Sequence, residues 1–78
     1  MMPFSSGNQI TRAMTTIEVL CNGKQLCIEI CEVWDFVRDI HSYQAHVVDK
    51  EAMQRDIIGR FKASEIAEQK AREWINSQ

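Results

Sequence analysis

The sequence predicts a small α+β domain. An antiparallel sheet is built on a β-hairpin over about 15–31, and a C-terminal amphipathic helix over about 64–77 packs on one of its faces. Three observations predict this. An Asn22-Gly23 dipeptide sits between two alternating segments, and a helical apolar stripe runs to the C-terminus. The chain has 78 residues and is 45% apolar, enough for one core and no more.

The hairpin follows from the turn. Asn-Gly favours a two-residue type I′ turn, which needs positive φ at both positions. With Asn22 and Gly23 in the loop, Cys21 faces Lys24, Val19 faces Leu26 and Ile17 faces Ile28. One face then carries Ile17, Val19, Cys21, Leu26, Ile28 and Ile30. The other carries Thr16, Glu18, Leu20, Gln25, Cys27, Glu29 and Cys31. A register set only by the turn has sorted the aliphatic residues onto one side, and a slip of one residue would scramble both.

That geometry also bears on the cysteines. Cys27 and Cys31 lie four apart on one strand, roughly 13 Å at strand rise, whereas a disulfide needs Cα atoms within about 7 Å. Cys21 projects from the opposite face. Three unpaired thiols fit a reducing, cytoplasmic compartment. Cys27, Cys31, His41 and His46 form a C-x3-C-x9-H-x4-H pattern, close to that of zinc fingers. Finger cysteines sit on a tight knuckle, while "LCIEIC" is strand-forming, so zinc is the minor alternative and no metal or cofactor is expected.

The helix "SEIAEQKAREWINSQ" has Ser64 as expected N-cap, Glu65 and Glu68 in its first turn, and Lys70 and Arg72 further on. Ala67, Ala71, Trp74 and Ile75, with Ile66 at the margin, make one apolar stripe. The middle region reads two ways. "VWDFVRDIHSY" fits a helix or a continuation of the second strand, with Trp34 and Phe36 sharing parity with Ile28 and Ile30. "YQAHVV" alternates like a strand. "IIGRF" would serve as another, although "DKEAMQRDIIGRF" also fits a helix capped by Asp49. Gly59 favours a break there. Residues 1–13, rich in Ser, Gly and Asn, are expected to form a flexible lead, with 14–78 as the domain.

The run "GRFKASEIAEQKA" resembles the last strand and helix of plant-type AP2 DNA-binding domains. That resemblance implies a sheet whose exposed face reads DNA with arginines. The corresponding exposed sheet face carries Glu18 and Glu29 and is expected to carry neither Arg nor Lys, so the likeness extends to architecture alone.

Nine basic and eleven acidic side chains give a net charge of −2, which provides no drive toward phosphate backbones or anionic surfaces. From Asp49 onward the bases Lys50, Arg55, Arg60, Lys62, Lys70 and Arg72 are matched by six acids, the pattern of a solvated face. Nucleic-acid binding through that half is the second reading. No apolar run approaches the length of a membrane span. The glycines stand alone at 7, 23 and 59, so no phosphate-binding loop is present, and no enzymatic activity is expected. What remains is recognition of a protein. The outward hairpin face mixes Leu20, Cys27 and Cys31 with few charges, and Trp34 extends it as the residue type favoured in hot spots. The chain therefore reads as a small cytoplasmic interaction or regulatory protein that binds a partner or itself as a homodimer. Its size is that of accessory proteins of phages and mobile elements, an analogy of scale.

Overall fold

The computed structural model describes residues 9–78. Strands β1 (Gln9–Cys21), β2 (Lys24–Asp35), β3 (Ile40–Asp49) and β4 (Gln54–Phe61) form one antiparallel sheet in the order β1-β2-β3-β4, followed by helix α1 (Ser64–Asn76). This is the predicted α+β architecture, with the middle region resolved as two strands. Residues 9–13 of the expected lead are strand, because Gln9 to Ala13 continue the ladder opposite Asp35 to Cys31. The rest of that lead lies outside the described residues.

The Asn-Gly turn sets the register as its chemistry requires. Asn22 and Gly23 have φ of 54° and 75°, and Cys21 pairs with Lys24, Val19 with Leu26 and Ile17 with Ile28. Past the hairpin, β2 runs straight on through Trp34 to Asp35, so "VWD" is strand rather than helix.

The two remaining turns share one device. Asp35 Oδ1 accepts hydrogen bonds from the backbone N–H of Val37 and Arg38, at 3.1 and 3.2 Å. Asp49 Oδ1 accepts from Glu51 and Ala52, both at 3.1 Å. Four residues after each aspartate, Asp39 and Met53 turn the chain with φ of 56° and 52°. A carboxylate that bonds the N–H groups two and three residues on can open a turn as readily as a helix. Asp49 therefore caps a single turn between strands, not the helix that its sequence context also allows.

In β4 the register shifts opposite Ala45 and His46, where Ile58 is the extra residue. Gly59 takes φ of 157°, and a Cβ there would lie 3.0 Å from the Phe61 ring, which folds back over the glycine. The bulge explains why Ile57 and Ile58 are adjacent apolar residues: Ile57 points outward and Ile58 into the core.

Helix α1 lies over β2, β3 and β4. Ala67, Ala71 and Ile75, spaced four apart, are buried against Ile28, Ile30, Ala45 and Val47, with Trp74, Phe61 and Tyr43 packed at the rim. Two alanines on the contact stripe bring the helix backbone close to the sheet, and Trp74 fills the far end as the sequence suggested. The N-cap is Ala63, not Ser64. Ala63 is extended (φ −139°, ψ 150°) and its carbonyl accepts from Ala67 N at 3.1 Å, so Ser64 already lies in the helix and no side chain caps the first turn.

Candidate interaction surface

The sheet face away from the helix is organised in rows that cross the strands. Glu18, Cys27, Val48 and Arg55 form one; Thr16, Glu29, His46 and Ile57 the next; then Cys31, Gln44 and Arg60. Leu20 and Gln25 end the face beside the hairpin turn. Leu20, Cys27 and Cys31 thus share this face, as the hairpin register requires, but they are not equivalent. Leu20 is 74% exposed, Cys31 is half-buried, and Cys27 is only 3% exposed. The small Cys27 thiol sits between Glu18 and Val48 on the flanking strands, and a Gln25–Glu18 side-chain hydrogen bond of 2.8 Å runs beside it. Cys27 is therefore a floor residue and offers no contact of its own.

Trp34 is elsewhere. Its parity is that of Ile28 and Ile30, so it projects from the helix side. It stacks on His41 with ring centroids 5.6 Å apart and 13° between planes, and meets Phe36 edge-on at 5.9 Å. Its indole N–H donates to Asp39 Oδ1 at 3.1 Å. The structure thus brings Leu20 and Cys31 to one face and places Trp34 on the other.

Trp34 belongs to a second surface that the sequence did not reveal. Strand β4 ends at Phe61, opposite Tyr43. Beyond that row the sheet continues as β1, β2 and β3 alone, and the helix starts only at Ser64. At this three-stranded end Ile10 lies opposite Trp34, and Phe36 and Val37 crown the turn. Val37 is 66% exposed, and Ile10 and Phe36 are exposed beside the half-buried Trp34. On the far face, Ile57 is 63% exposed but stands on β4, the strand farthest from Leu20 on β1, so the two make no continuous patch. Contiguous exposed apolar surface is the feature that marks contact sites, and the distal end has more of it.

Several charges on both faces are paired. Arg55 Nη1 donates to Glu29 at 2.7 Å and to His46 Nδ1 at 2.9 Å. An arginine cannot accept, so His46 Nδ1 must, which leaves its proton on Nε2. Burial, reinforced by the Arg55 charge, holds the His46 pKa below its ordinary value. His41, on the Trp34 face, bonds Glu32 through Nδ1 at 2.7 Å; that bond, with Arg12, holds the Glu32 carboxyl below the usual range. His41 and the pair Cys27 and Cys31 therefore project from opposite faces. The four residues of the finger-like pattern are not brought together. Arg55 and Arg60, supplied by β4, do stand on the open face, which corrects the expectation that this face carries no arginine.

Lys24 and Asp49 meet at 2.8 Å beside the hairpin turn. The Lys24 ammonium, followed by the Ala52 N–H, holds the Asp49 carboxyl below its ordinary range, and Asp49 raises the Lys24 pKa in return. A carboxyl with a lowered folded pKa contributes stability that is present above its unfolded pKa and is lost as pH falls through the folded value. Wild type should therefore lose stability as pH falls below about 4. Asp49→Asn should be less stable at pH 7 and show a flatter acid limb, as read by urea midpoints across pH 2.5–7. Identical limbs for the two proteins would mean that the pair contributes nothing.

A cleft of about 260 Å³ runs between the helix C-terminus and the hairpin, lined by Cys21, Lys24, Asp49, Asp56, Trp74 and Gln78. Among the described residues no three His, Cys, Asp or Glu side chains are placed to hold a metal ion, and no helix is long and apolar enough to cross a membrane. No family model, curated protein or solved structure matches the chain.

Proposed function

We propose that this is a small non-enzymatic interaction or regulatory protein of the cytoplasm, which binds a protein partner through the three-stranded end of its sheet. The exposed apolar cluster of Ile10, Phe36 and Val37 around Trp34 carries this reading. An aromatic anchor with apolar neighbours and a polar rim, here His41, Asp39 and Arg38, has the composition of a contact core. Leu20 and Cys31 on the open face form a lesser, separate contact. The free thiols of Cys21, Cys27 and Cys31 support a reducing compartment.

The alternative, phosphate-backbone binding by the basic residues, draws less support from the ion pairs. Arg55 is held by Glu29, Arg72 by Glu68 at 3.0 Å and Lys70 by Glu73 at 3.5 Å, which leaves these cations partly neutralised.

Val37→Glu places a charge beside Phe36, on an exposed turn residue outside the core cluster. Affinity capture from a host extract with quantitative mass spectrometry should show partners retained by wild type and by Gln69→Glu, a change on the outer helix face. Val37→Glu should retain them about thirtyfold less, the cost of a disrupted interface core. Equal retention by all three proteins, or retention on heparin that weakens steeply with salt and with Arg60→Ala, would replace this reading with the nucleic-acid one.

A further inference from the structure

A four-stranded open sheet has two outer edges, and this one treats them differently. Strand β4 is eight residues long, carries Arg55, Asp56 and Arg60, and is kinked by the bulge before Gly59. Short length, charge and a bulge are the means by which edges resist pairing with another chain. Strand β1 is thirteen residues long and carries two charges, Arg12 and Glu18. Both are turned inward along the sheet. Arg12 bonds Glu32 at 3.1 Å and Glu18 accepts from Gln25 at 2.8 Å, each across to β2. Neither guards the outer edge. Downstream of the bulge near Met14, the segment Thr15–Cys21 is rich in β-branched residues and contains no proline.

The hairpin fixes which backbone groups face that edge. In a two-residue turn the flanking residues, Cys21 and Lys24, form a hydrogen-bonded pair, and such pairs alternate along an antiparallel ladder. Val19 and Ile17 are therefore bonded to β2. Thr16, Glu18 and Leu20 direct their N–H and C=O groups outward, where no described strand meets them. The helix lies over β2, β3 and β4, and β1 reaches it at Cys21, whose thiol is 3.9 Å from the Ile75 carbonyl. Ile17 and Val19 are consequently left half-buried at the margin of the core.

We propose that a second copy of this chain pairs antiparallel along β1, about a two-fold axis at Ile17, and extends the sheet to eight strands. The sequence of the edge is complementary to itself in that register. Thr16 of each copy lies opposite Glu18 of the other as a hydrogen-bonded pair, and Thr15 lies opposite Val19. Ile17 meets Ile17 as a close non-hydrogen-bonded pair on the helix side. Centring the axis on Glu18 instead would set two carboxylates face to face, which is unfavourable. In the Ile17 register the four half-buried aliphatics, two from each copy, complete one apolar strip between the two helices. A net charge of −2 per chain opposes this association only weakly. The Trp34 ends of the two copies then point in opposite directions and stay open, so the pairing is independent of the partner contact proposed above.

Sedimentation equilibrium tests this with four proteins: wild type, Thr16→Pro, Thr16→Lys and Thr16→Glu. Wild type should pass from monomer to dimer within roughly 1–500 µM, the range of a modest interface. Thr16→Pro removes an outward N–H and leaves the β2 ladder intact, as prolines on edge strands do. It should be monomeric throughout, with an unchanged circular dichroism spectrum. Each dimer holds two Thr16–Glu18 pairs, so Thr16→Lys should tighten it and Thr16→Glu weaken it, each by about fivefold to tenfold. Glu29, opposite Thr16 in the chain's own ladder, acts on monomer and dimer alike and cancels. A wild type that stays monomeric over that range overturns the proposal, as does a folded Thr16→Pro that still dimerises. Should Thr16→Pro fail to fold, the two charge variants decide: shifts of opposite sign uphold the pairing, and equal or absent shifts reject it.

Discussion

Ile28→Ala should lower the unfolding free energy by about 2–5 kcal/mol, the cost of truncating a large aliphatic side chain in a closed core. Ile28 has no exposed surface and lies on β2 within the core that the helix covers, with Ile17 opposite on β1 and Val47 opposite on β3. A chain of this length holds roughly 4–12 kcal/mol in total, so the loss brings it near the threshold of folding at 37 °C. Leu20→Ala removes a side chain of the same volume eight residues away, from an exposed position on the other face, and should change stability by less than about 0.5 kcal/mol. Urea titration of both variants checks the contrast. Equal losses would mean that the two faces are buried alike and that the hairpin register is wrong.

That register was the most legible part of the molecule, because one dipeptide with restricted φ fixed every pairing in β1 and β2 up to the bulge near Met14. The helix was nearly as plain. Its contact stripe of Ala67, Ala71 and Ile75 repeats every four residues, and only its cap was misplaced by one residue, from Ala63 to Ser64. The middle of the chain was not legible for a definite reason. Asp35 and Asp49 bond the N–H groups two and three residues on, which is the local chemistry shared by helix caps and turns, and what distinguishes them is the positive φ at Asp39 and Met53. Neither residue is a glycine; aspartate adopts that region more readily than most side chains, so Asp39 carries a weak signal, and Met53 carries none.

The candidate surface was half visible for a related reason. Leu20, Cys27 and Cys31 were placed on one face by parity alone. How far each is buried depended on Val48 and on long neighbours that parity does not count. Trp34 could be assigned a face only once β2 was known to continue, and the cluster of Ile10, Phe36 and Val37 around it exists because β4 stops three rows short of the sheet's end. The signal was present in the lengths: β3 has ten residues, β4 has eight of which Ile58 is the unpaired bulge residue, and the three rows at Ser42, His41 and Ile40 are left bare. Arg55 and Arg60 reached the open face for the same reason, since a strand that was not assigned could not contribute to a face.

Ala71→Leu should be nearly as damaging as Ile28→Ala, and by the opposite physics. Ala71 is fully buried and belongs to the same core cluster as Ile28, Ile30, Ala45 and Val47. Leucine is an excellent helix former, so on an exposed helix face the change would be close to neutral. Here three extra carbon atoms must enter the layer between helix and sheet, which costs about 1–3 kcal/mol in strained rotamers and backbone shift. The helix can escape by lifting away, and since it is joined to the sheet only by Lys62 and Ala63, lifting exposes Ile30, Val47 and Ile75 together. Ala71→Leu should therefore bind a hydrophobic dye under native conditions while retaining its helical circular dichroism, whereas Ile28→Ala should not bind the dye until it unfolds. Combined, the two changes place added volume in the layer where volume was removed. The double variant should recover about 0.5–3 kcal/mol relative to the sum of the single losses, the range found for residues that share a cavity. Simple additivity would show that the space vacated by Ile28 is closed to a side chain at position 71, and that the helix crosses the sheet along a different line.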